Sequence, residues 1–340
     1  MKDLEKIVTE IDQLIEDGKI DKDELLTQLI NDKLNSHQDI AATPIKQLMA
    51  VNMKKIITPK EHEHVISFGL RDINEELEGL FSSELTVVGG RPGMGKTQFL
   101  VSTAYSISKS TPVLFFSLQH NKELIVNRFI ACGSGLPVFR LTSKRLEGKY
   151  MTYFLATERE LTKSQLFISD CYVNNVHTFI AYCKKMIAEH GIKVVMIDGF
   201  ENMNFNKYAN HNKNRDYELS AVLTELKQFT NEANISTIIS TELDGNTIIY
   251  EAPDLTDIRS CSLTEHLADK VMLLYRPDYY DIKEDDNGIA FPKNLVIIHV
   301  VKNNYGKCCK INIKRDNYFT RFLNLNDNTD FYVNSIDEMF

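Results

Sequence analysis

Apolar positions change their spacing along the chain, and this change divides it into two parts. Over residues 1–36 they recur three and four positions apart in two stripes separated by Gly18, which predicts a helical hairpin. The stripes are Leu4, Ile7, Val8, Ile11, Leu14 and Ile15, then Leu25, Leu26, Leu29, Ile30 and Leu34. A polar linker follows, and a short helix is predicted from Pro44 to about Lys55. The hairpin either packs on its own chain or docks on a neighbouring subunit, and both interpretations fit this spacing.

From about Ser67 onward, strand-like apolar runs alternate with helical stretches. The runs are Leu85–Val88, Val113–Phe116, Leu166–Ile168, Val194–Ile197, Ile235–Ile239, Val271–Tyr275 and Leu295–Val301, and the helical stretches include Thr97–Ser108, Val176–His190 and Tyr217–Ala233. Such alternation predicts an α/β fold with a mostly parallel twisted sheet. The last runs lie close together, which favours antiparallel hairpins at the sheet edge. We therefore expect a helical segment and linker at 1–60, an α/β domain at 61–330 and a tail at 331–340.

A phosphate-binding motif follows the first of these strands. It reads Gly90-Arg91-Pro92-Gly93-Met94-Gly95-Lys96-Thr97, with Gln98 next, and fits G-x-x-x-x-G-K-[ST] between a strand and a helix. In this setting the backbone N–H groups and the helix N-terminus face phosphate oxygens. Lys96 is expected to reach the β- and γ-phosphates of ATP, and the Thr97 hydroxyl to bind Mg²⁺.

A second Mg²⁺ residue is expected at the end of another buried strand. Val194–Ile197 is an apolar run that ends directly in Asp198, about a hundred residues after the phosphate motif. A carboxylate in this place holds the metal ion in P-loop proteins. The two motifs together predict a P-loop ATPase.

Several further motifs resemble one family, in order and in spacing. The segments are Phe68–Asn74, Gly79–Leu80, Glu84–Val88, Arg91–Thr97, Val113–Leu118, Met196–Asp198, Ile238–Leu243, Asp257–Ser260 with Ala268–Asp269, Tyr275–Arg276 and Lys302–Gly306. Together they resemble the C-terminal RecA-like ATPase domain of DnaB-type replicative DNA helicases over about residues 66–325. The R-P-x-M-G-K-T form of the phosphate motif is narrower than a general P-loop. The resemblance implies an ATP-dependent motor on single-stranded DNA that forms a hexameric ring, with ATP bound between subunits.

Three positions depart from the pattern of that family. Gln119 stands where the resemblance implies the catalytic glutamate, Glu242 where it implies a γ-phosphate-sensing glutamine, and Asn304 where it implies the arginine finger of a neighbouring subunit. Lys302 is retained and is a candidate for part of the finger's role, and Glu201 or Glu242 could supply a substitute base. Two interpretations follow: slow hydrolysis with replacement residues, or an ATP-binding scaffold or regulator without hydrolysis. An ATPase like RecA or KaiC without helicase action is a third, which the motifs favour less.

Two segments are candidates for DNA contact. The first, residues 204–215, contains Lys207, Tyr208, Lys213 and Arg215 and no acidic residue, which suits phosphates and stacked bases but also a disordered polar loop. The second contains Arg259 and Ser260, where the resemblance implies contact with the DNA backbone. The net charge of −8 argues against a generally basic nucleic-acid binder and restricts DNA contact to such local segments.

Targeting features point to a cytoplasmic protein. The sequence contains no run of 18 or more apolar residues, so it predicts no transmembrane helix, and the charged N-terminus is not a secretory signal. The six cysteines include no C-x-x-C pair, which is typical of a reduced compartment. About 65 residues precede the motor, fewer than the resemblance implies for the family's primase-contacting domain, which makes a primase interaction doubtful.

Overall fold

The structure of the protein is a computed structural model. It describes residues 43–46, 48–49, 53, 65–143, 146–170, 175–203, 215–243, 252–258, 261–285 and 287–327. The chain divides into two units, Met1–Glu61 and His62–Phe340. The hairpin predicted at 1–36 and the tail at 331–340 lie outside the described residues. Within the short helix predicted from Pro44, residues 45–46, 48–49 and 53 are helical.

A nine-stranded sheet forms the centre of the second unit, as far as the structure describes it. Its strands are β3 (Leu85–Gly90), β4 (Val113–Ser117), β5 (Leu166–Ser169), β6 (Val194–Asp198), β7 (Ser236–Glu242), β8 (Lys270–Tyr275), β9 (Leu295–Asn303), β10 (Cys309–Arg315) and β11 (Phe322–Asn324). Their order across the sheet is β11-β10-β9-β8-β3-β7-β6-β4-β5, and the six from β8 to β5 are parallel. Two short strands, β1 (Val65–Ile66) and β2 (Leu80–Phe81), pair separately.

Helices cover both faces of the sheet. They are α1 (Arg71–Leu77), α2 (Lys96–Ile107), α3 (Lys122–Ser134), α4 (Val138–Thr142), α5 (Lys149–Lys163), α6 (Val176–His190), α7 (Arg215–Ala233) and α8 (Cys261–Leu267). The side chains of α1, α2 and α3 share one hydrophobic core with the sheet. Those of α6 and α7 share a second core on the opposite face. None of the helices that the structure describes is long and apolar enough to cross a membrane.

This architecture confirms the predicted α/β fold. Each of the seven predicted runs falls on a strand, and β8, β9 and β10 form the antiparallel hairpins expected at the edge. Strands β10 and β11 were not predicted, although Ile311 and Ile313 alternate with polar residues in β10, which is the period of a strand with one buried face.

The parallel strands place several loop residues at one edge of the sheet. Because β3, β4, β6 and β7 run in the same direction, their carboxyl ends lie side by side. Ligand sites of open α/β sheets form at this edge.

Candidate functional site

The phosphate motif lies at the carboxyl end of β3 and leads directly into α2. Gly95 caps the helix with φ of 96°, a left-handed conformation that disfavours residues with a side chain. A Cβ there would lie 2.2 Å from Cζ of Phe319, so the loop is also closely covered. The exposed Pro92 and Gly93 form its outer part, while the Met94 side chain is buried in the core. The turn thus directs its backbone, rather than its apolar side chains, toward a ligand.

Lys96 extends over the loop, close to an acidic side chain. Its Nζ donates a hydrogen bond to the carbonyl of Gly90 at 2.7 Å and lies 4.0 Å from Oε1 of Glu242. Burial lowers the pKa of Lys96, and the nearby carboxylates of Glu242, Glu201 and Asp198 oppose that shift. The side chain of Glu242 is 48% exposed, so it faces solvent on the open side of the loop.

Thr97, Asp198 and Ser240 bring three oxygen-bearing side chains together beside the loop. Oδ1 of Asp198 accepts hydrogen bonds from the hydroxyls of Thr97 at 3.1 Å and Ser240 at 2.9 Å. Oδ2 of Asp198 is buried without a hydrogen-bond partner in the part of the chain that the structure describes. Burial raises the pKa of Asp198, and the two hydroxyl hydrogen bonds oppose that shift. Hydroxyl and carboxylate oxygens are what Mg²⁺ prefers, so these residues fit the metal ion that a P-loop nucleotide brings.

Gln119 and Glu201 form a hydrogen-bonded pair next to this group. Gln119 lies two residues beyond β4, and Glu201 lies in the single 3₁₀ turn Phe200–Asn202 that follows β6. Nε2 of Gln119 donates to Oε1 of Glu201 at 3.1 Å. Burial raises the pKa of Glu201, the negative charge of Glu242 adds to the rise, and Lys96 opposes it. Both residues are candidates from the sequence, but no pattern in the sequence predicts their contact.

Residues at the antiparallel edge of the sheet cover the phosphate loop, and the sequence did not predict this contact. Nη1 of Arg276, one residue beyond β8, donates to the carbonyl of Gly93 at 2.8 Å, and its guanidinium lies 4.4 Å from the ring centre of Phe319. The amide of Gln98 donates to the carbonyl of Thr320. Gln98 is therefore held in the wall of the site, with its amide directed at Thr320. The turn between β10 and β11 carries Phe319 and Thr320, and no motif marks it.

Comparison with known proteins assigns the fold and these motifs to one family. The family model described as "DnaB-like helicase C terminal domain" matches residues 65–324. The chain belongs to this family.

Curated relatives of this DnaB-family chain are distant in sequence. It is 27% identical over 303 residues to a "Probable replicative DNA helicase" of Trieres chinensis, covering 88% of this chain and 64% of the relative. It is 25% identical to "Replicative DNA helicase DnaB" of Rickettsia typhi (strain ATCC VR-144 / Wilmington), covering 90% and 65%. It is 26% identical to "Replicative DNA helicase DnaC" of Bacillus subtilis (strain 168), covering 76% and 56%. The chain thus spans less than two thirds of the length of these relatives.

Solved structures share the fold of this DnaB-family chain. The structure described as "The Structure Of A DnaB-Like Replicative Helicase And Its Interactions With Primase" aligns with a TM-score of 0.72 at 21% identity, over 94% of this chain and 76% of that one. A solved ATPase domain aligns with a TM-score of 0.73 at 21% identity, over 84% of this chain and all of that one.

Lys302 and Asn304 lie away from the phosphate loop of their own chain. Asn303 pairs with Lys270 at the start of β8, so the carboxyl end of β9 reaches the amino edge of the parallel strands. Nδ2 of Asn304 donates to Oδ1 of Asp269 at 3.2 Å, and the backbone of Asn304 donates to the carbonyl of Asp269 at 2.8 Å. Nζ of Lys302 donates to the carbonyl of Glu265, and burial lowers the pKa of Lys302. Neither residue can complete the phosphate site of its own chain.

Most of the candidate DNA contacts lie outside the described residues. These are Lys207, Tyr208, Lys213, Arg259 and Ser260, and Arg215 begins α7 without a described side chain. The described residues that flank the two candidate DNA-binding segments lie at the same sheet edge as the phosphate loop. Met203 ends the turn after β6, and Ile258 pairs with Leu243 directly after β7.

Proposed function

We propose that this chain binds Mg·ATP at Lys96, Thr97 and Asp198 and hydrolyses it as a DnaB-like motor on single-stranded DNA, in DNA replication in the cytoplasm. The observation that carries the proposal is the contact of Thr97 with Asp198, 101 residues apart in sequence, at 3.1 Å beside a phosphate loop. A P-loop ATPase uses these residue types to hold the metal ion of the nucleotide. The buried Oδ2 of Asp198 gives that ion, or a water bound to it, an acceptor. Membership of the family and the names of its relatives support the helicase function.

We further propose that the subunits form a hexameric ring, and the position of Lys302 supports this proposal. At the amino edge of the sheet, Lys302 and Asn304 serve a nucleotide only if that nucleotide belongs to another subunit. An amide at position 304 lacks the charge with which an arginine finger stabilises the transition state, worth about 10³–10⁵ in rate. Lys302 would then carry the remaining positive charge across the interface. Turnover is therefore expected to be slow for this kind of motor.

ATP turnover, measured with and without single-stranded DNA, tests the proposal. Lys96→Ala is the blank, and Lys185→Ala is the matched control, because Lys185 lies on the surface of α6 with 65% of its side chain exposed. We expect turnover stimulated by DNA in the wild type and in Lys185→Ala, and none in Lys96→Ala. Nucleotide binding with wild-type turnover no higher than the blank would instead support an ATP-binding scaffold.

Light scattering with and without nucleotide tests the ring. A particle of about six subunits in the presence of nucleotide is expected. A monomer under every condition would contradict both the ring and the role of Lys302 in a neighbouring site.

A further inference from the structure

We propose that Glu201 is the general base for ATP hydrolysis in this chain and that Gln119 positions it. The inference rests on the proposed ATPase function and names the residue that takes the proton. In the step, the oxygen of a water molecule forms a bond to the γ-phosphorus while its proton passes to a carboxylate oxygen of Glu201. The bond between the γ-phosphorus and the bridging oxygen breaks, and ADP leaves with the electron pair. Inorganic phosphate is the second product, and Glu201 afterwards releases its proton to solvent.

The sheet brings Glu201 and Gln119 to one place. Strands β4 and β6 are neighbours, with Ser117 opposite Asp198, and the backbone N–H of Leu118 donates to the carbonyl of Asp198 at 3.0 Å. The segments that follow the two strands therefore leave the sheet together. This is why Nε2 of Gln119 reaches Oε1 of Glu201 at 3.1 Å.

Gly199 makes the close approach possible. Its φ is 81°, and a Cβ at this position would lie 2.5 Å from Cγ of Gln119. The backbone at Gly199 thus turns in close contact with the Gln119 side chain, and this turn brings Glu201 within hydrogen-bonding distance of Gln119. A neutral amide cannot accept a proton from water, but by donating to Oε1 it holds the carboxylate of Glu201 in place, and Oε2 of that carboxylate is buried.

The surroundings of Glu201 suit proton transfer near a phosphate group. Glu201 is close enough to Lys96 and Asp198 for their charges to act on it, and these are the residues expected to hold the γ-phosphate and the metal ion. Burial raises its pKa, which makes the ionised carboxylate a stronger proton acceptor than an exposed glutamate. Glu201 thus combines the position and the proton affinity that a base requires.

Glu242 is the competing carboxylate, and its contacts favour a different role. It lies 4.0 Å from Nζ of Lys96 and is 48% exposed. There it neutralises Lys96 and stays hydrated. Glu242 is directed at Lys96, whereas Glu201 is directed at Gln119, where the resemblance implies the catalytic carboxylate, so Glu201 is the better candidate.

Near-isosteric variants test the assignment. Glu201→Gln removes the charge and keeps the size, and Glu232→Gln is the matched control on the outer surface of α7, where Glu232 pairs with Lys184. For each variant, the maximal rate of ADP formation and the affinity for a fluorescent ATP analogue are measured, and circular dichroism verifies the fold. Glu201→Gln is expected to reduce the rate by about 10²–10⁴ with the affinity changed by no more than about threefold, which is under 1 kcal/mol. Glu232→Gln is expected to behave as the wild type.

If the Glu201→Gln variant does not fold, a variant that exchanges the two side chains still tests the role of the carboxylate. The double variant Gln119→Glu with Glu201→Gln preserves one amide and one carboxylate in contact, and it is expected to recover turnover to within about tenfold of the wild type, or about 1.4 kcal/mol.

Two results would overturn the proposal. Glu201→Gln could turn over ATP at the wild-type rate, which refutes Glu201 as the base while the ATPase function stands; a loss of turnover in Glu242→Gln alone would then assign the base to Glu242. A wild type with no turnover above Lys96→Ala would refute the ATPase function and the base together.

Discussion

Glu84 and Lys270 form an ion pair that is fully excluded from solvent. Nζ of Lys270 lies 3.0 Å from Oε1 of Glu84, and both side chains are 0% exposed. Glu84 also accepts hydrogen bonds from the hydroxyl of Thr86 at 2.6 Å and the backbone of Phe81 at 2.9 Å, while Lys270 donates to the carbonyl of Gly79 at 2.8 Å. The pair therefore fastens the start of β8 to the segment between β2 and β3. Lys270→Met removes the charge and both donations while keeping most of the side-chain volume.

The expected loss of stability follows from this geometry. At 3.0 Å the two charges attract each other by about 5 kcal/mol at an effective dielectric constant of about 20. After the change, Glu84 stays buried without a counter-charge, and breaking one side of a buried pair costs about 3–5 kcal/mol. The free energy of unfolding should fall by that amount, which for a unit that spans His62–Phe340 corresponds to a decrease of about 5–9 °C in Tm. Adding Glu84→Gln removes the stranded charge, so the double variant should recover about 1–2 kcal/mol.

Urea unfolding followed by circular dichroism measures these differences in a double-mutant cycle. Lys184→Met is the control, because Lys184 lies 3.4 Å from Glu232 with 55% of its side chain exposed, and such surface pairs contribute about 0–1 kcal/mol. A loss below about 1 kcal/mol in Lys270→Met would refute the reasoning, as would a double variant less stable than Lys270→Met alone.

Two further predictions concern the phosphate site. Ser240→Ala removes the 2.9 Å hydrogen bond to Asp198. Since a hydrogen bond to a charged group is worth about 1.5–3 kcal/mol, the rate of ATP turnover should fall at least about tenfold, while ATP binding without Mg²⁺ should not change. An unchanged rate would show that Ser240 does not contribute to the metal site. Gly95→Ala places a Cβ 2.2 Å from Phe319 at φ of 96°, so the affinity for the ATP analogue should fall at least about tenfold. Gly191→Ala has a similar φ of 65° with no atom within 4 Å, so it should reduce stability by about 1 kcal/mol and leave ATP affinity intact. Equal affinities in the two glycine variants would refute the role of the close approach.

The sequence allowed the local part of the site to be predicted, because its signals lie in consecutive residues. Strand, glycine loop and helix follow one another from Leu85 through Thr97, and the apolar run before Asp198 marks a strand end. The contact between Gln119 and Glu201 could not be predicted in this way. It joins residues 82 positions apart and depends on which strands are neighbours in the sheet.

The cover of the phosphate loop was missed for a related physical reason. Phe319 and Thr320 lie more than 200 residues beyond the loop, in a turn between two antiparallel strands, and they reach the loop only because β8 to β11 extend the sheet beside β3. The alternation of Ile311 and Ile313 could have identified β10. Even so, only the order of strands across the sheet places the following turn above Gly95.

Gln119 and Asn304 both depart from the family pattern, but a nearby residue can replace the missing chemical group only at Gln119. Neighbouring parallel strands are about 4.8 Å apart, so a carboxylate after β6 can act on nearly the same water as one after β4. Glu201 occupies that position, whereas Asn304 is held by two hydrogen bonds to Asp269 and carries no charge. Among these residues only Lys302 retains a positive charge, and a lysine lacks the planar, bidentate donors of arginine. We therefore expect the basal chemistry of a single site to be better preserved than its acceleration by a neighbouring subunit.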